Sequence, residues 1–155
     1  MQREFVGYYK SPIGVLEVIS STDEILSCNF VEQEKSITSK PHILLDSLKQ
    51  LNEYFKGLRK EFDLKLRLNG TSFQNTVWKA LQKVTYGKTI TYKELAQKIG
   101  KETAIRAIGS ANGQNPISII IPCHRIIGSD GKLRGYGGGI EKKKWLLEFE
   151  NRNVK

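Results

Sequence analysis

Residues 120–125 read Ile-Ile-Pro-Cys-His-Arg, and Cys123 is one of only two cysteines in the chain. A thiol attacks as its thiolate, and a neighbouring cation, or a histidine able to accept the proton, favours that form. A free thiol titrates near ~8.5, so at neutral pH it needs such help. His124 is the candidate base or relay, and Glu148 and Glu150 are both candidates to orient it. The commoner fate of a lone cytosolic cysteine is to sit inert in a core, so the surroundings must decide. His42, His124, Cys28 and Cys123 show no metal-ligand spacing, and no structural zinc is expected.

The elements that must position Cys123 fall into two halves. In the first, Phe5, Gly7 and Tyr9 alternate with polar neighbours, Ser11 to Gly14 makes a turn, and Val15 to Ile19 returns, predicting a β-hairpin. Residues 25–31 read as a third strand. Leu44, Leu45, Leu48, Leu51, Tyr54 and Phe55 form a helical stripe over 42–57, ended by Gly57. Alternation of Phe62, Leu64, Leu66 and Leu68 predicts a further strand. This half, residues 1–69, is expected to be a small α/β scaffold, and it offers no catalytic constellation.

Residues 70–155 change style. Ser72 is expected to cap a helix carrying Phe73, Val77, Trp78, Leu81 and Val84, closed by Tyr86-Gly87. Thr91 to Glu94 has the capping-box form, opening a short helix from Tyr92 to Ile99 that stops at Gly100. A second helix is expected from Thr103 through Ala111, and the pair has the helix-turn-helix pattern. A strand over 117–121 then leads into Pro122-Cys123-His124-Arg125. Six glycines punctuate the loop 128–139 without a dinucleotide or P-loop fingerprint. They would let backbone approach a bound base or form a mobile wall. A final helix is expected over 140–151.

Composition bounds the rest. The chain has 155 residues, 39% hydrophobic and 26% charged, enough for a real core. No apolar run approaches the ~20 residues that span a bilayer, and the amino terminus shows no apolar signal core. Two cysteines make no disulfide framework, so a cytoplasmic setting without membrane attachment is expected. The net charge is +9, and it is uneven: residues 1–69 carry ten basic and ten acidic side chains, residues 70–155 fifteen and six. A half this basic points to a polyanion, most simply nucleic acid.

In order and spacing, Phe73-Gln74, Val77-Trp78, Tyr86-Gly87, Thr91-Tyr92, Leu95-Ala96, Arg106-Ala107-Ile108-Gly109, Asn115-Pro116, Ile121 to Arg125 and Gly135-Tyr136 closely resemble the O6-alkylguanine-DNA alkyltransferases. These are also called methylated-DNA–protein-cysteine methyltransferases. The resemblance covers nearly all of 70–150; residues 1–69 match loosely, as the family's ribonuclease-H-like α/β domain with an antiparallel sheet plus helix. The implied fold is that domain followed by a mainly α domain, residues 70–155, containing the helix-turn-helix.

The resemblance implies single-use, stoichiometric repair. An alkyl group passes from O6 of guanine, and possibly O4 of thymine, in duplex DNA to Cys123, without metal or organic cofactor. By position, His124 takes the thiol proton through a water, Glu150 orients His124, and Asn115 braces the active-site turn. Tyr92 contacts the flipped base and Arg106 fills the gap in the stack. Ala107, Ser110, Arg125, Tyr136, Gly137 and Gly138 complete the expected DNA and base contacts. The implied docking of the helix-turn-helix is in the minor groove, and the protein is expected to be a monomer. Many relatives carry serine or alanine where this chain has Gly137, which bears on the tolerated alkyl size. Alternatives are a helix-turn-helix regulator or lesion sensor that performs no chemistry, and a cysteine hydrolase with multiple turnovers.

Overall fold

The computed structural model describes residues 3–154, which form two compact units: one runs to Leu68 and includes Pro116–Ser118, the other comprises Asn69–Asn115 and the chain from Ile119 onward.

In the first unit β1 (Phe5–Ser11), β2 (Gly14–Ser20) and β3 (Ile25–Val31) form an antiparallel sheet in sequence order. The tight turn pairs Ser11 with Gly14, and Ser11 Oγ donates to the Gly14 carbonyl at 2.6 Å. Helix α1 (His42–Phe55) buries Leu44, Leu51, Tyr54 and Phe55 of the stripe read from its spacing, with Leu48 half-buried, while Leu45 of the same stripe is 52% exposed. It lies so close to β1 that a Cβ on Gly7 would meet Leu48 Cδ1 at 2.9 Å. Gly57, at φ 75°, ends the helical turn.

Two expected strands are not there. Residues 62–68 are extended but make a single parallel bridge, Leu66 to Ile25, closed by Ile25 N–H to Lys65 O and Arg67 N–H to Ile25 O at 2.8 and 2.9 Å. Alternation prepares a strand, but only one residue of β3 offers it an edge. Residues 117–121 likewise form only isolated bridges, among them Ile117 to Cys28. Beyond it Ile119 adopts φ 71°, which breaks the extended run. Cys28 is fully buried on β3, and burial pushes its thiol up to about 12. It is a core cysteine.

In the second unit, helix α2 (Ser72–Leu81) is capped by Thr71 rather than Ser72. Thr71 Oγ1 accepts from Gln74 N–H at 3.1 Å while Gln74 Oε1 accepts from Thr71 N–H at 3.0 Å, so the box starts one residue earlier than expected. The Thr91–Glu94 box forms as read, both bonds at 3.0 Å, and opens α3 (Tyr92–Lys98). Gly100, at φ 71°, follows. Helix α4 (Ile105–Gly113) begins two residues later than expected, because Ala104 is still held in a turn by Lys101 O. Trp78 Nε1 donates to Ala111 O at 2.8 Å and ties α2 to α4.

A feature absent from the sequence reading is the parallel two-residue ladder of β4 (Ile90–Thr91) with β5 (Ile126–Ile127). It fixes the start of α3 beside the exit of a single 3-10 turn, Cys123–Arg125. Helix α5 (Ile140–Asn153) closes the unit and buries Lys143, Leu146, Phe149 and Glu150 on one face.

Candidate active site

The 3-10 turn points Cys123, His124 and Arg125 inward; their exposures are 3, 0 and 6%. Glu150, seven residues after Lys143 on the buried face of α5, meets two of them. Its Oε2 accepts from His124 Nε2 at 2.7 Å, and both its oxygens accept from Arg125, Nε at 2.8 Å and Nη2 at 2.9 Å. Arg125 Nη1 adds a bond to Val84 O at 2.7 Å. Glu148 is exposed, so the geometry chooses Glu150 between the two candidates. Arg125, expected among the DNA contacts, is instead committed to the carboxylate in the interior.

The charges follow. Burial would raise the Glu150 carboxyl, but His124 and Arg125 outweigh it and hold it below the ordinary carboxylate range. Burial lowers His124, which outweighs the pull of Glu150. Burial, with a smaller contribution from the Arg125 cation, holds the imidazole neutral. Nε2 then carries the hydrogen given to Glu150, and Nδ1 is left as a basic nitrogen, without a hydrogen-bond partner among the described residues.

Cys123 departs from the expectation of a thiolate favoured by its cationic neighbour. Burial pushes the thiol up to about 11, opposed by a hydrogen bond from the Asn115 side chain and by the charge of Lys143. The Arg125 guanidinium is turned away to Glu150. At rest Cys123 is a protonated thiol, and to act as a nucleophile it would need a base to remove its proton. Asn115, expected to brace the turn, also donates to Ile121 O at 2.9 Å.

The Gly128–Gly139 loop is pinned from three helices. Tyr92 Oη on α3 donates to Arg134 O at 3.1 Å, and Lys143 Nζ on α5 donates to the same oxygen at 2.6 Å. Asn112 on α4 donates through Nδ2 to Gly135 O and to Cys123 O, both at 3.4 Å. Gly135 sits at φ 61°, where a Cβ would stand 3.3 Å from Tyr92 Oη. Tyr136 is buried, Gly138 half-buried and Gly137 exposed. A Cβ on Gly137 would meet only Gly113 O, at 3.8 Å, so the wall has room there. Arg106, Ala107 and Ser110 are exposed together on α4, and Ala107 and Ser110 lie one turn apart.

Lys143 was missed by sequence reasoning. It is fully buried, its Nζ lies 6.0 Å from the Tyr92 ring centroid, and burial lowers it to about 8, with Cys123 opposing the shift. The signal was available: Lys143, Leu146 and Glu150 follow i, i+3, i+7 on one helix face. Among the described residues, no group of three or more His, Cys, Asp or Glu could hold a metal ion, and no helix is long and apolar enough to cross a membrane.

Comparison with known proteins matches residues 5–68 to the ribonuclease-like domain of 6-O-methylguanine DNA methyltransferase and residues 72–152 to its DNA binding domain. A methylated-DNA–protein-cysteine methyltransferase of Methanosarcina barkeri is 45% identical over 152 residues, 94% of this chain and 96% of the relative. One from Mycobacterium tuberculosis is 48% identical over 145 residues, 90% and 88% of the two chains. The crystal structure of Mycobacterium tuberculosis O6-methylguanine methyltransferase superposes with a TM-score of 0.90 at 44% identity, covering 99% of this chain and 96% of that one. The OGT of the same organism, crystallised in complex with DNA, gives 0.87 at 47% identity, covering 94% and 92%.

Proposed function

The chain belongs to the 6-O-methylguanine DNA methyltransferase family, and from that premise we propose that it is a DNA-repair transferase whose alkyl acceptor is Cys123. The observation that carries the assignment is the buried relay Glu150–His124 beside Cys123, with one imidazole nitrogen left basic. In the reaction Sγ attacks the alkyl carbon and the carbon–O6 bond breaks. The thiol proton passes through a water to His124 Nδ1 and is returned to the departing guanine. The thioether does not hydrolyse readily, so each molecule acts once.

DNA is the partner. Residues 70–155 bind it through the helix-turn-helix α3–α4, docked in the minor groove, while residues 1–69 serve as scaffold. A base inside the stack is out of reach of a buried thiol, so the lesion is extruded at a cost of a few kcal/mol. Arg106, exposed at the first turn of α4, fills the gap. Ala107 and Ser110 line the backbone contact, Tyr92 meets the base, and Tyr136, Gly137 and Gly138 form the pocket wall. The protein works as a monomer in the cytoplasm, with O6-alkylguanine as its lesion.

Incubation with a duplex containing O6-methylguanine, followed by intact mass and peptide mapping, tests this. One methyl group on Cys123 is expected. Binding of the duplex without transfer would refute the reading and leave a non-reacting lesion sensor.

A further inference from the structure

We propose that Asn112 is a positioning residue for the transfer, an inference that rests on Cys123 being the acceptor. Asn112 occupies the buried face of α4 with Ile108 and Ala111, and it is 1% exposed. Where its neighbours are apolar, it places an amide. The Nδ2 group donates to Cys123 O and Gly135 O, twelve residues apart in sequence, each at 3.4 Å. Its Oδ1 is buried and has no hydrogen-bond partner among the described residues.

An orphaned buried acceptor is unfavourable, so a leucine of similar size would suit this position better if packing were all that mattered. The amide orientation is fixed as well: turned over, Oδ1 would face two carbonyl oxygens. What the residue provides is therefore its two N–H donors. They tie the backbone that carries the nucleophile to the backbone of the glycine-rich wall, so a single side chain sets the gap between them. A flat base must enter that gap, and small errors in spacing are costly for a displacement at carbon. Helix α4 thus carries Arg106, Ala107 and Ser110 on its exposed side and the spacer of the reaction pocket on its buried side.

The test uses Asn112→Leu and, in case that variant folds poorly, the smaller Asn112→Ser. Single-turnover transfer from a duplex containing O6-methylguanine is followed over protein concentration, separating half-saturation from the limiting rate. Cys123 modification by iodoacetamide, mapped by mass, is measured in parallel, since that small reagent needs no shaped pocket. The expected result is a limiting rate lowered about tenfold or more with half-saturation within about twofold of wild type. Iodoacetamide modification should be unchanged or faster. An unchanged limiting rate in a folded variant, or equal slowing with both reagents, would overturn the proposal. Wild-type protein that takes no methyl group from the duplex, yet is modified by iodoacetamide, would overturn the reading of Cys123 and this inference with it.

Discussion

Arg125 grips both oxygens of Glu150, at 2.8 and 2.9 Å, in an almost solvent-free interior. This two-point pair satisfies a carboxylate that would otherwise draw a proton onto His124. Its role is electrostatic bookkeeping for the neighbouring imidazole, because a neutral His124 can accept a proton and a cationic one cannot.

Removing the guanidinium should therefore harm both stability and chemistry. Arg125→Met leaves Glu150 buried with His124 alone, and breaking a buried pair in this way costs about 3–5 kcal/mol. Urea unfolding measures the loss, and a value below about 1 kcal/mol would place the pair in the class of surface bridges.

His124→Asn removes the proposed base and leaves the proposed nucleophile in place. At pH 7 transfer should slow by about 10²–10⁴-fold. With no base to help, the rate should then climb about tenfold per pH unit toward the thiol value of about 11. Wild type should be flat through neutrality and fall on the acid side, since burial keeps His124 below its ordinary value. A variant with a flat profile would remove His124 from the proton path.

Acid should destabilise the fold for a related reason. Unfolded His124 takes a proton near ~6.5, and the folded residue resists it, so stability falls as pH drops below ~6.5. Glu150 acts in the same direction: its lowered value stabilises the fold above ~4.3, and that contribution disappears as pH falls through the folded value. The Tm should decline between pH 7 and 5, less steeply in His124→Asn. Parallel Tm curves would contradict the assignment.

Lys143 acts with the same sign at higher pH. Its folded value of about 8 lies below the ~10.4 of an unfolded lysine, so stability rises from pH 8 to 10 as the folded side chain sheds its proton first. Lys143→Met should be at least as stable as wild type at pH 7 but slower in transfer, because the positive charge beside Cys123 and the tie to Arg134 O are both gone. Thermal melts and single-turnover rates on one preparation decide it.

If the lesion is extruded as proposed, Arg106→Ala should slow repair in duplex DNA more than reaction with free O6-benzylguanine, which needs no extrusion. Equal losses on both substrates would exclude that role. Affinity for DNA should also fall with rising salt, as lysines and arginines release counterions from phosphates.

Much of this was legible from residue order alone. The hairpin, α1 and the Thr91–Glu94 box depend on neighbours a few residues away, and period and capping report such neighbours directly. Residues 62–68 alternate as strands do and 117–121 form a short apolar run, yet a strand also needs a partner edge and an unbroken extended backbone. The first found one residue of edge; the second is interrupted at Ile119, a β-branched residue in a conformation such residues seldom adopt. Arg125 and Lys143 were hidden by the sound expectation that cations face water. Their burial depends on Glu150 and on Arg134 O, which only the tertiary fold brings to them.

The near-complete burial of Cys123 bears on the protein's idle life. Under the proposed reaction each molecule works a single time, so its usefulness depends on what it declines while waiting. Oxidants and stray electrophiles react with thiolates, and a thiol held at about 11 and 3% exposed reacts with them only slowly. Inertness toward ordinary chemistry is what keeps the molecule available for the rare damaged base.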